Sequence, residues 1–313
     1  MIYLFGYGIQ GRAHALNLRD SGADVTIINR NDEFSMRADQ DGFRVLNELD
    51  ETNVLDGDIL YILLPEEVHS TILSNLFAKI TQRVTIVFAH GFTLANGSLC
   101  FPKSANLLMI APRFPGKQVR EYYLAKSGVP AYVSTYRNVS GDASVVLKNL
   151  CSILGFNKGG IIEITPEQET LVDLAIENIM APSFFIFVQK LFEKLVQRGI
   201  PREVACMELY YSGETGAVRA AMSKYGLYRG LQKNASPTCQ FGVSSSAKQL
   251  SELSWVEEFI EAQLSHIESG EFAKHLEDYE AAVATREAFF SSSIANQIRE
   301  AEKCCNITFG KGQ

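Results

Sequence analysis

The chain has 313 residues, 46% of them hydrophobic, and a formal net charge of −7. That length and apolar content support two domains with separate cores, and the acidic balance argues against nucleic acid as the main partner. No unbroken apolar run reaches the ~18 residues of a membrane span, and Met1 leads straight into a short strand pattern rather than a signal peptide, so a soluble, cytoplasmic protein with no membrane partner is expected.

In chain order, residues 2–5 form a short apolar strand and Gly6, Gly8 and Gly11 a Gly-x-Gly-x-x-Gly loop, followed by a helix over 13–21 that Gly22 ends. Strand, tight glycine turn and helix make the opening of a dinucleotide-binding unit, in which the backbone approaches a pyrophosphate at a helix N-terminus. Residues 24–29 give the second strand. The Val/Ile-rich runs 59–64 and 84–89 read as buried parallel strands, separated by a helix over 66–80. Strands are expected again at 107–110, 131–134 and 160–164, with a helix over 143–154 before the last. From Thr165 onward the pattern is helical almost without interruption. Thr165 and Gln168 frame Pro166 as a capping box, which specifies a helix start. The fold class is therefore α/β, an N-terminal Rossmann domain over 1–163 followed by an all-α domain over 164–313. The six cysteines show no Cys-x-x-Cys spacing and read as reduced structural thiols.

Asp173 and Glu177 carry the clearest chemical signal in the helical half. Four residues apart on an α-helix, their side chains project only ~40° from each other, so both carboxylates can reach one divalent ion. His90 follows a predicted parallel strand, at the edge where α/β sheets gather ligands. After the second strand, Arg30, Ser35 and Arg37 suit a ribose 2′-phosphate, whereas Asp32 and Glu33 suit the free ribose hydroxyls of NAD. NADP is the expected cofactor, with NAD the alternative.

Five blocks, in order, give the chain a family resemblance. The glycine loop and helix over 6–22, including Tyr7 and Gln10, resemble the opening of ketol-acid reductoisomerase, the acetohydroxyacid isomeroreductase of branched-chain amino-acid biosynthesis. The Phe-Ala-His-Gly-Phe run at 88–92 resembles that family's catalytic histidine loop, and the Ala-Pro-Arg-Phe-Pro-Gly run at 111–116 its next active-site loop. Residues 169–177 resemble its metal helix and residues 269–274 a segment near its C-terminus. The resemblance implies an NAD(P)H- and Mg²⁺-dependent oxidoreductase acting on a 2-hydroxy-2-acyl acid or 2-keto acid. In such an enzyme an alkyl group migrates and the new keto acid is reduced. It further implies a centre of two Mg²⁺ ions with ligands at Asp173, Glu177 and Glu208, active-site roles for His90 and Arg113, a substrate contact at Ser236, and a homodimer through the helical domain.

The departures from that pattern are as informative. Ser212 stands where a fourth carboxylate is expected, and Glu214 would point about 200° away on an intact helix. Arg113 replaces a lysine and cannot pass a proton as a lysine does. Pro182, Ser183 and Phe184 replace a small turn, and the polar substrate loop survives only as Asn234, Ser236 and Thr238. Two other readings follow from these changes: a paralogue that reduces a different carbonyl without alkyl migration, and a catalytically silent nucleotide-binding protein.

Overall fold

The computed structural model describes residues 1–97 and 99–309. By internal contacts the chain divides into two compact units, Met1–Asp173 and the helices from Leu174 onward. The first unit holds one eight-stranded sheet: β1 (Ile2–Phe5), β2 (Val25–Ile28), β3 (Arg44–Leu46), β4 (Ile59–Ile62), β5 (Thr85–Phe88), β6 (Asn106–Pro112), β7 (Ala131–Arg137) and β8 (Ile161–Glu163). The spatial order is β3-β2-β1-β4-β5-β6-β7-β8, parallel except for the antiparallel β6–β7 pair. Order reverses between β1 and β4, which places the ligand crevice of a doubly wound sheet beside the loop that follows β1.

Helices α1 (Ile9–Asp20), α2 (Glu33–Gln40), α3 (His69–Lys79), α4 (Phe92–Asn96), α5 (Gly116–Leu124) and α6 (Ala143–Ile153) accompany the sheet. Because both faces are covered, the central strands are apolar on both sides, and two cores result. One gathers Leu4, Ile27, Tyr61 and Val87 with Leu16 and Leu18 of α1; the other gathers Phe5, Leu60, Ile62 and Phe88 with Leu73 and Phe77 of α3. The sequence reading passes over β3, α2 and α5. β3 is a three-residue edge strand, and the two helices are short and polar, so no apolar period announces them.

α7 (Pro166–Ala175) starts with the capping box the sequence specifies: Thr165 N–H donates to Gln168 Oε1 at 3.0 Å and Gln168 N–H to Thr165 Oγ1 at 3.2 Å. The first compact unit runs ten residues beyond the boundary drawn from sequence, because Glu169 and Asp173 of α7 are bonded to residues of the sheet loops.

The second unit is helical: α8 (Ala181–Gln197), α9 (Arg202–Cys206), α10 (Glu214–Tyr225), α11 (Leu227–Asn234), α12 (Pro237–Ser251), α13 (Ser254–Glu268), α14 (Glu271–Glu277), α15 (Tyr279–Phe290) and α16 (Ser293–Phe309). Phe192 of α8, Ala205 and Cys206 of α9, and Ala301 and Cys305 of α16 make its buried core. Two π-helical segments, Ile176–Met180 and Met207–Tyr211, interrupt the regular turns. The continuous helix Pro166–Gln197 is long and apolar enough, by length and composition, to cross a membrane. Glu177 and Lys190 interrupt its apolar stretch, so no unbroken apolar run of spanning length lies within it.

Candidate active site

β1, β4, β5 and β6 run parallel, so the loops after β1, β5 and β6 leave the same edge of the sheet. The glycine loop follows β1. Gly6 has φ +92°, and a Cβ there would sit 2.7 Å from Leu63 O; a Cβ on Gly11 would sit 2.1 Å from Gly6 O. Both glycines are required for the turn to close. Gly8, by contrast, faces open space and is the N-cap of α1, with no side-chain cap and no acid in the first turn. An uncapped, acid-free helix N-terminus is a fit for the pyrophosphate of a dinucleotide.

Tyr7 and Gln10 hold this loop rather than extend from it. The Tyr7 ring is buried, its hydroxyl donates to Asp41 Oδ2 at 2.8 Å, and its N–H donates to Asn29 Oδ1 at 3.1 Å. The Tyr7 side chain is thus a core anchor of the glycine loop. Gln10 Nε2 donates to Phe114 O at 2.9 Å, and a Cβ on Gly116 would sit 2.2 Å from Ile9 O. The 111–116 loop therefore lies directly on the glycine loop.

Near the end of β2, Asp32 caps α2, accepting from Phe34 N–H and Ser35 N–H, while Ser35 Oγ donates to Asp32 O and accepts from Asp32 N–H. Ser35 is buried, and its hydroxyl is engaged in this capping box. Arg30 is exposed, with Nε donating to Asp32 Oδ2 at 2.9 Å. Although partial burial raises Asp32, the hydrogen bonds from Arg30, Ser35, Phe34 and Asn29 outweigh it and hold the carboxyl below its usual range.

His90, from the loop after β5, and Arg113, at the end of β6, meet Glu169 and Asp173 of α7. His90 Nε2 is 3.0 Å from Asp173 Oδ2 and 3.7 Å from Glu169 Oε2. Arg113 donates from Nη1 to Glu169 Oε1 at 2.9 Å and from Nη2 to Asp173 Oδ1. Glu169 is completely buried, and its Oε2 also accepts Gly91 N–H at 2.7 Å. Gly91 permits this approach, because a Cβ there would lie 2.3 Å from Pro166 O and 3.0 Å from Glu169 Oε2. His90, Glu169 and Asp173 offer ligand atoms within 4.8 Å of one another.

The electrostatics follow from burial and pairing. Burial disfavours an imidazolium at His90, but the bond to Asp173 and the charges of Glu169 and Glu66 outweigh it and raise the ring to about 9. His90 Nδ1 meanwhile accepts Phe92 N–H at 3.0 Å, so taking the second proton requires that backbone bond to open. Burial pushes Asp173 up, yet His90 and Arg113 hold it at about 2. Glu169 is raised, chiefly by burial.

The other residues singled out from sequence belong to the second unit. Glu177 lies in the π-helical segment Ile176–Met180, one turn after Asp173 on the same continuous helix, and Glu208 in the π-helical segment Met207–Tyr211. Single π turns inside α-helices are frequent at functional sites. Ser236 caps α12, its Oγ accepting Cys239 N–H at 3.2 Å. Gly213, at φ +90°, separates Ser212 from α10, so the intact helix assumed in placing Glu214 does not exist. Phe184 packs under Arg219, whose guanidinium carbon is 4.7 Å from the ring centre. Glu169 is the site residue that the sequence reading did not assign. Its signal is present as the acid four residues before Asp173, first of the series 169, 173, 177.

Residues 1–160 match the acetohydroxy acid isomeroreductase NADPH-binding domain family, and residues 167–304 the ketol-acid reductoisomerase C-terminal domain family. The ketol-acid reductoisomerase (NADP(+)) of Pyrobaculum aerophilum is 34% identical over 99% of this chain and 94% of its own. That of Sulfolobus acidocaldarius is 34% identical over 89% of this chain and 83% of its own. The structure of an NADH-preferring ketol-acid reductoisomerase from an uncultured archean superimposes with a TM-score of 0.84 at 29% identity, covering 96% of this chain and 93% of that one. Both domains matching in order, with relatives aligned almost end to end, the chain belongs to the ketol-acid reductoisomerase family.

Proposed function

We propose that the chain is an NAD(P)H-dependent oxidoreductase carrying out ketol-acid reductoisomerase chemistry on an acetohydroxy acid or the 2-keto acid derived from it. In that chemistry an alkyl group leaves C2 for C3, the C2 hydroxyl loses its proton to become a carbonyl, and the former C3 carbonyl oxygen gains one. The new C2 carbonyl then takes a hydride at carbon and a proton at oxygen. The observation that carries the reading is the placement of His90, Arg113, Glu169 and Asp173 at the sheet edge shared with the glycine loop, in a chain matched to this family over both domains.

The reduced nicotinamide supplies the hydride; α1, with its open N-terminus, is the element suited to hold the dinucleotide. NADP is favoured because the matching domain is named for NADPH and the curated relatives for NADP(+). The Asp32–Arg30 pair and the NADH-preferring relative keep NAD in view. His90 holds the proton exchanged with the substrate oxygen, and Arg113 directs its remaining N–H donors toward the substrate carboxylate. Asp173, Glu177 and Glu208 are all carboxylates, a donor chemistry that fits Mg²⁺, and the ion would polarise the substrate oxygens. Ser236 remains a substrate contact by family resemblance.

The helix Pro166–Gln197 exposes Ile176, Met180, Phe185, Ile186, Phe187 and Leu191 in a single chain. We assign this face to a second copy of the chain, as a homodimer through the helical unit, rather than to a bilayer, because Asp173, Glu177 and Lys190 lie on the same helix. Light scattering of the purified protein giving twice the chain mass supports this assignment, and a monomer contradicts it. All six cysteines are free thiols, which suits a cytoplasmic setting.

The enzymatic reading is tested by following NADPH and NADH consumption with acetolactate and, separately, with its isomerised 3-hydroxy-2-keto acid, with and without Mg²⁺. Saturable turnover of either substrate supports it. Cofactor binding without turnover of either supports the silent binding protein instead. Reduction without migration is the second reading, favoured specifically by Arg113 and Ser212.

A further inference from the structure

Arg113 is held through its backbone, its guanidinium face and both terminal nitrogens. Its own N–H donates to Pro130 O at 2.9 Å, its guanidinium carbon lies 4.9 Å from the centre of the Tyr132 ring, and its two terminal nitrogens bridge Glu169 and Asp173. This is a seat built for a planar, forked cation. An ammonium is a single point charge and cannot stack on the tyrosine while engaging two carboxylates at separate nitrogens. Glu169 is wholly enclosed, so its charge needs a partner inside the protein, and the guanidinium is one.

The guanidinium already offsets one of the two carboxylate charges in this cluster. Two carboxylates face one guanidinium and one imidazole, and both Asp173 oxygens are bonded, Oδ1 to Arg113 and Oδ2 to His90. A divalent ion on Asp173 would share that carboxylate with a fixed positive charge. Independently, Ser212 offers a neutral hydroxyl where the family resemblance leads one to expect a carboxylate, and its Oγ accepts Glu214 N–H at 3.3 Å.

We infer that Arg113, clamped between Glu169 and Asp173, takes the place of one of the two divalent ions of a reductoisomerase centre, so that this chain binds no more than one and reduces a 2-keto acid far better than it rearranges an acetohydroxy acid. The inference rests on the reductoisomerase reading above and specifies its substrate. The chemistry explains the asymmetry. Reduction needs one polarised carbonyl, a hydride at carbon and a proton at oxygen. Migration needs two neighbouring oxygens activated at once, one losing a proton as the other gains it.

The test is a Mn²⁺ titration of the full-length protein read by electron paramagnetic resonance, on the wild type and on Arg113→Lys, Ser212→Glu and the double variant, each first shown to bind NADPH. The wild type should hold no more than one ion per chain and the double variant two. In parallel, the wild type should turn over the isomerised keto acid at least a hundredfold faster than acetolactate, with that ratio falling at least tenfold in the double variant. Two ions bound by the wild type, or comparable turnover of both substrates, would overturn the proposal. If neither substrate is turned over, the reductoisomerase reading fails, and the wild-type ion count alone decides the role of Arg113.

Discussion

Glu169 and Arg113 form the closest pairing in the candidate site between a fully enclosed charge and a cation. The buried carboxylate accepts Gly91 N–H at one oxygen and Arg113 at the other, so it fixes both the histidine loop and the arginine without depending on solvent. Charge-assisted bonds of this kind contribute about 1.5–3 kcal/mol each. Glu169→Gln keeps the shape and removes the charge. It should leave NADPH affinity unchanged while lowering kcat about ten- to a hundredfold, the rate equivalent of that range. An unchanged kcat in steady-state assays would show that Arg113 is positioned without it. Such a residue is hard to find in a sequence because its role depends on two loops that are 56 and 78 residues distant along the chain. Asp173 stands out by its spacing from Glu177 and His90 by its place after a predicted strand, whereas Arg113 is legible only through the block that contains it. The commitments of Tyr7 to Asp41 and of Ser35 to Asp32 became visible only with coordinates, since a glycine-loop tyrosine or a serine after β2 has the same letter whether it faces a ligand or the core.

At the scale of elements, the strong periodic signals gave the architecture. The apolar runs of β1, β4 and β5, the helix stop at Gly22 and the Thr165–Gln168 capping box are local patterns, and local patterns survive folding. The antiparallel turn of β7 was not legible, because strand direction is decided by the connection through α5 and not by composition. Nor were the two π-helical segments, each carrying one of the glutamates singled out from sequence. The close contact of the histidine loop with α7 is an element-level feature that can be broken at one atom. Gly91→Ala places a Cβ 2.3 Å from Pro166 O, so backbone must shift. The variant should lose about 1–3 kcal/mol of stability, in the range of overpacked sites, with a matching fall in urea midpoint. A midpoint equal to wild type would mean that the loop and α7 separate freely.

At the scale of the molecule, acid sensitivity has an identifiable source in the first core. His14 is completely buried beside Tyr61, its Nδ1 2.9 Å from the tyrosine hydroxyl, and burial lowers it to about 3. The folded ring therefore stays neutral where the unfolded ring, at about 6.5, takes a proton. Stability from this group is complete above about 6.5 and is lost as pH falls toward about 3, with a slope approaching 1.4 kcal/mol per pH unit. His14→Asn should flatten the fall of stability between pH 6 and pH 4 in denaturant titrations; an unchanged slope would place the acid sensitivity elsewhere.

Hydride delivery to a carbonyl is the step on which the enzyme's proposed activity depends. The most direct measurement is to supply NADPH deuterated at the transferred position together with the 3-hydroxy-2-keto acid and to locate the label by mass spectrometry. Deuterium at C2 of a 2,3-dihydroxy acid, abolished in His90→Ala, is the predicted result. Label retained in the cofactor, with the protein saturated by it and the keto acid unchanged, would contradict the account.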